Sequence, residues 1–151
     1  MGGNHTCALT TSGAVWCWGD NALGELGVGD ETDFSYAPLR VPDLPTATSL
    51  HLAHSFSCAL TAEHEAYCWG SLELAALSTT GKLATRWYPP VKIPAPEAIS
   101  DVKVASTHVC LLSETGSVWC WGTGAMGQFG DGALYYSDVP VAVPGLNGCS
   151  E

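Results

Sequence analysis

Six of the seven cysteines in this 151-residue chain form three pairs of one spacing: Cys7 and Cys17, Cys58 and Cys68, Cys110 and Cys120, each ten positions apart. Paired cysteines can oxidise to a disulfide or hold a soft metal ion. A structural zinc site brackets only about two to four residues between paired ligands, so this spacing is too wide. His5 and His108 each stand two residues before a cysteine, but Phe56 holds that place in the second copy. Histidines that hydrogen-bond a turn are the expectation there, and no metal is expected.

A hairpin accounts for the spacing. If Cys7 lies opposite Cys17, then Leu9 faces Val15 and Thr10 faces Ala14, with Thr11-Ser12-Gly13 as the loop. Gly13 supplies the positive φ such a loop needs. Directly opposed residues have Cα atoms about 4.5–5.5 Å apart, inside the roughly 4.4–6.8 Å a disulfide spans. Local disulfides Cys7–Cys17, Cys58–Cys68 and Cys110–Cys120 are expected, with Cys149 free or intermolecular. Cys, Leu and Val then share one face of the hairpin, and Trp16 and Trp18 the other. Both faces are apolar, which suits a sheet with a neighbour on each side.

The elements that position these cysteines recur with them. Cys7, Cys58 and Cys110 are offset by 51 and 52, and so are Cys17, Cys68 and Cys120. Each hairpin ends in Trp-Gly or its equivalent: Trp18-Gly19, Trp69-Gly70, Trp121-Gly122. Glycine runs follow in the first and third copies (Gly19, Gly24, Gly27, Gly29; Gly122, Gly127, Gly130, Gly132). The second copy carries Ala75, Ser78 and Thr80 at three of the four places, so its loop should take another path. Helix is least excluded over Ser71–Leu77. A proline box closes each copy: Pro38 to Pro42, Pro90 to Pro94, Pro140 to Pro144. Alternating apolar strands, Leu50–Ala53 and Val102–Ala105, precede copies two and three. Several short strands per unit, at a period near fifty, predict an all-β chain of three blade-like β-propeller repeats. The repeats run approximately 1–45, 46–96 and 97–151.

The pattern His-x-Cys-Ala-Leu, Gly-x-Val-Trp-Cys-Trp-Gly, a four-glycine run and Pro-x-x-Val resembles the regulator of chromosome condensation repeat family across essentially the whole chain. The paired-cysteine form resembles its bacterial members. The resemblance implies a propeller, usually of seven blades. Family members include the chromatin-bound exchange factor for the small GTPase Ran, a secreted inhibitor of β-lactamases and many protein-interaction domains. Three blades cannot close a ring, and only two leading strands are present. An open or partial ring is therefore expected: a piece of a longer propeller, an oligomer that completes the ring, or a free-standing three-blade form.

Composition narrows the partners. Five Lys and Arg against fifteen Asp and Glu give a formal net charge of −10. Nucleic-acid binding needs clustered basic groups, and Arg40, Lys82, Arg86, Lys92 and Lys103 are scattered. No run approaches twenty apolar residues, so no membrane span is expected. No signal peptide is visible, whereas paired cysteines suit an oxidising compartment. An extracytoplasmic location, as part of a longer secreted chain, reconciles the two.

Other motifs are decoys. Gly122-x-Gly124-x-x-Gly127 matches the dinucleotide fingerprint by letter, but no helix start follows it. The acidic loop Asp20, Glu25, Asp30, Glu31, Asp33 lacks calcium-loop spacing and does not repeat. Asn4-His5-Thr6 is a formal glycosylation sequon in a strand. Five tryptophans fall at repeated strand positions, which predicts core. Trp87 is outside the pattern. With Tyr88, Tyr135, Tyr136 and Asp138 it makes the candidate partner-contact set. No nucleophile, base and acid converge in the sequence, and no cofactor is expected. The leading expectation is a non-enzymatic protein-interaction module. A secreted propeller-type enzyme inhibitor and a propeller enzyme with an axial pocket are the alternatives.

Overall fold

The computed structural model describes residues 2–29, 32–71, 87–146 and 148–149. The second-copy loop, for which a separate path or a helix was in view, lies outside them apart from Ser71. Eleven strands are described: β1 (His5–Leu9), β2 (Val15–Asp20), β3 (Phe34–Arg40), β4 (Ala47–Leu52), β5 (Phe56–Thr61), β6 (Ala66–Gly70), β7 (Trp87–Lys92), β8 (Ile99–Val104), β9 (His108–Ser113), β10 (Val118–Thr123) and β11 (Tyr136–Ala142). They form three antiparallel meanders, β1-β2-β3, β4-β5-β6-β7 and β8-β9-β10-β11. The chain is all-β, and each sheet is a propeller blade.

Register follows the repeat. Cys7 pairs with Cys17 and Leu9 with Val15, while Cys58 pairs with Cys68 and Cys110 with Cys120. The strand with the second cysteine of each pair, β2, β6 or β10, pairs with the last strand of its sheet through an irregularity at the same place, between that cysteine and the Trp-Gly glycine. A bulge there re-aims the strand. Gly19, Gly70 and Gly122 have φ of 104°, 92° and 101°. A Cβ on any of them would lie 2.5 Å from the carbonyl oxygen of Asn4, Ser55 or Thr107 respectively. Only glycine fits that backbone-on-backbone approach. The prolines Pro38, Pro90 and Pro140 sit in β3, β7 and β11, the last strand of each sheet. An edge strand tolerates the missing N–H.

The sheets stack face to face. β4 and β8 touch one another, β1 packs on β4, and β5 on β8. The cysteine face of one sheet meets the tryptophan face of the next. Between the first two sheets, Val15, Cys17, Leu26 and Val41 pack with Ala59 and Trp69. Between the second and third, Phe56, Cys58, Leu60 and Ile93 pack with Val102, Val109, Leu111 and Trp121. Trp69 and Trp121 are fully buried, and Trp119 packs against the second cluster. Trp16 departs from the core expectation, at 37% exposed. It lies on the tryptophan face of the first sheet, which no described sheet covers.

Candidate interaction surface

The joint between the first two blades is built from the glycine loop. Asn21 organises it: its side-chain amide donates to the carbonyls of Gly29 and Thr32, and its Oδ1 accepts from Leu26 N–H at 3.0 Å. The Glu25 carboxylate accepts from Leu23 N–H at 2.8 Å. The expected acidic-loop residue is therefore buried structure. These bonds aim the Glu25 carbonyl at the second blade, where Trp69 Nε1–H and the Ser57 hydroxyl both donate to it, at 2.9 and 3.1 Å. His5 Nε2 meets Ser57 Oγ at 2.9 Å. The histidine thus bonds the neighbouring blade and not a turn. Burial pulls its pKa from 6.5 down to about 4, which keeps the ring neutral.

The three cysteine pairs are bonded, Cys7–Cys17, Cys58–Cys68 and Cys110–Cys120, each with Cα atoms 4.1 Å apart. Cys149 is a free thiol. Among the described residues no cluster of three or more His, Cys, Asp or Glu could hold a metal ion. No described helix is long and apolar enough to cross a membrane.

The candidate contact residues are dispersed. Trp87 and Tyr88 lie in β7. Tyr135 is half-buried, stacks edge-on against Phe129 and donates its hydroxyl to Asp131 at 2.7 Å. Tyr136 packs against the core cluster between the second and third blades. Asp138 is exposed. The exposed apolar side chains that sequence reasoning passed over lie on the outer strands and loops. Tyr36 is 93% exposed, Met126 88% and Leu134 71%, with Phe34 and Val139 about half exposed. Phe34 and Tyr36 meet edge to face at 5.0 Å. With Asp20 and Asp33 they line a cleft of about 550 Å³. The alternation Phe34-Ser35-Tyr36 was the available signal.

A second group went unread in the sequence. On the touching strands β4 and β8, His51 Nε2 lies 2.9 Å from Ser49 Oγ and 4.0 Å from Asp101 Oδ1, and Lys103 pairs with Asp101. Burial lowers the His51 pKa, opposed by Asp101. The three residue types are those of a hydrolase triad. The geometry differs, because serine and aspartate both approach the same nitrogen. A relay needs the acid on one ring nitrogen and the nucleophile on the other.

The profile of the regulator of chromosome condensation (RCC1) repeat matches residues 1–25 and 99–128. The human E3 ubiquitin-protein ligase HERC2 is 32% identical over 148 residues, covering 97% of this chain and 3% of that protein. Human RCC2 is 27% identical over 94% of this chain and 32% of its own length. Among solved structures, Prp20p of Saccharomyces cerevisiae superposes with a TM-score of 0.80 at 24% identity, over 95% of this chain and 37% of that one. The chain thus spans about a third or less of these relatives. With the repeated bulge, the glycine loop and the stacked blades in place, it belongs to the regulator of chromosome condensation (RCC1) repeat family.

Proposed function

We propose that this chain is a non-enzymatic protein-binding module that holds its partner on the outer rim of the blades. The observation that carries the reading is the exposure of Tyr36, Met126 and Leu134, with Asp20 and Asp33 lining the same cleft as Tyr36. Isolated exposed apolar side chains are ordinary, but aromatic groups beside charges are what interface cores and rims use. With a net charge of −10, the partner's facing surface should be basic and partly apolar. Relatives of the same fold hold proteins. Prp20p has been characterised for binding to Gsp1p and histones, and yeast RCC1 has been solved bound to Kap60. The ligase activity of HERC2 belongs to a protein of which this stretch matches 3%, so it supports no enzymatic reading here. Three disulfides favour an oxidising compartment as the working location.

The test is affinity capture with the wild-type chain and a Tyr36→Ala/Met126→Ser variant, with hydrolase and transferase panels alongside. A partner retained by the wild type and lost by the variant supports the reading. Substrate turnover abolished by His51→Ala would replace it with the enzymatic one.

A further inference from the structure

The joint between the first and second blades holds a histidine whose protons can be counted. His5 is 3% exposed. Its Nε2 meets Ser57 Oγ at 2.9 Å, and Ser57 Oγ lies 3.1 Å from the Glu25 carbonyl oxygen. A carbonyl only accepts, so the single hydroxyl proton of Ser57 points at Glu25. Ser57 Oγ then accepts from the ring, and Nε2 carries the ring proton. Nδ1 is left bare. Among the described residues it has no hydrogen-bond partner, and Gly2 covers it so closely that a Cβ there would stand 2.4 Å away. We propose that His5 is an acid-operated latch: a second ring proton, taken from water onto Nδ1, parts the first blade from the second at this joint. The latch is separate from the rim proposed for a partner.

The neutral ring fits this site and the charged ring does not. A buried cation needs a partner for each of its donors, and a proton on Nδ1 would have none. Burial lowers the His5 pKa from 6.5 to about 4, with the amino-terminal charge and His54 acting in the same sense and Asp20 against them. The elements packed on β1 add little else. β2 supplies Asp20 and β4 supplies His51, which is bonded to Ser49. The cysteines of β1, β2 and β5 are in disulfides. The Glu25 carboxylate of the glycine loop accepts from Leu23 N–H.

The chain carries its own version of this joint without the proton site. One blade on, Phe56 stands where His5 stands and Val109 where Ser57 stands. Both are fully buried in one apolar cluster, and neither binds a proton. Close packing at this place therefore does not require a histidine; His5 and Ser57 add a titratable contact to it. What the latch holds is the glycine loop. The Glu25 carbonyl accepts from Ser57 and, at 2.9 Å, from Trp69 Nε1–H. The bonds of Asn21 to Gly29, Thr32 and Leu26 all lie within the first blade. The loop can thus leave the second blade with its own form intact. A second bond crosses the same joint, from Gly3 N–H to the His54 carbonyl at 3.1 Å.

The experiment is nuclear magnetic resonance of the isotope-labelled chain across the acid range. At neutral pH the His5 ring should show its proton on Nε2 and a bare Nδ1. Hydrogen-exchange protection, corrected for intrinsic rates, then reads the joint. As pH falls from about 6.5 to about 4, protection of the Trp69 indole N–H and the Gly3 amide should fall about tenfold per unit. The amides that pair β8 with β9 should not follow. His5→Gln keeps a donor for Ser57 and takes up no proton. His5→Phe with Ser57→Val rebuilds the joint in the form of Phe56 and Val109. Each variant should abolish the local loss, and His5→Gln decides alone should the double variant not fold. A ring proton on Nδ1 at neutral pH overturns the proposal. So does a loss of protection shared equally by all three blades, which is global unfolding, or a local loss that persists in His5→Gln.

Discussion

Trp69 donates its indole N–H to the main-chain carbonyl of Glu25 at 2.9 Å, across the joint between the first and second blades. One side chain thus couples two separate meanders through a hydrogen bond and a fully buried ring. Trp69→Phe keeps most of the ring contact and removes the bond. The Glu25 carbonyl retains the Ser57 hydroxyl, so the expected loss is modest, about 0.5–1.5 kcal/mol of unfolding free energy. Urea denaturation measures it, and an unchanged midpoint would sink the claim that the indole N–H couples the blades.

Gly27→Ala should cost more than Gly29→Ala. Both glycines have positive φ, 68° and 98°, so alanine meets backbone strain of about 1–2 kcal/mol at either. Only at Gly27 does the new Cβ also strike the Trp69 ring; at Gly29 nothing lies within 4 Å. The difference between the two variants reports the joint itself. Equal losses would mean that the ring gives way freely.

Stability should fall as pH drops from about 6.5 to about 4. His5 is buried against Ser57, and its pKa is about 4 in the fold against 6.5 in the open chain. Between those values the unfolded chain binds a proton that the folded chain refuses, so acid favours unfolding. The shift of about 2.5 units sets a ceiling of about 3 kcal/mol, complete near pH 4. His51, lowered in the same sense by burial, adds to the slope. His5→Gln should flatten the profile while keeping a hydrogen-bonding group beside Ser57. An equally steep profile in that variant assigns the slope to other groups.

The repeat was legible because its markers are covalent and steric. A fixed cysteine offset forces one hairpin register, and the Trp-Gly glycine has no substitute where its Cα meets a carbonyl. The joints were not legible. That His5 pairs with Ser57, 52 residues away, follows from how successive blades stack, and no local pattern encodes it. Trp16 looked like core because its repeat equivalents are strand residues, but burial depends on which face has a neighbour. Ser49, His51 and Asp101 come together on β4 and β8 across two repeats, again a product of stacking. Tyr135 and Tyr136 stood in the candidate partner-contact set. The fold uses the first to hold Asp131 and packs the second against the core.

The three disulfides should differ in their resistance to reduction, with Cys58–Cys68 the last to open. Reduction proceeds by attack of a thiolate on a sulfur, so access governs its rate in the folded state. Cys58 and Cys68 are both fully buried, covered on the cysteine face by the third blade, whereas Cys7 and Cys110 are each half-buried. Under mild reductant, timed alkylation and peptide mass spectrometry should show Cys149 modified at once, then Cys7 with Cys17 and Cys110 with Cys120. Cys58 and Cys68 should follow only as the blades come apart, so their modification should track global unfolding in urea. The Cys58→Ala/Cys68→Ala variant should lose at most about 2–3 kcal/mol, because the bond closes a short loop. The hairpin retains its ladder and its place between two neighbours. Early labelling of Cys58 in the folded chain would show that the second and third blades separate on their own. Any cross-linked peptide joining two repeats would contradict the register on which all three hairpins rest.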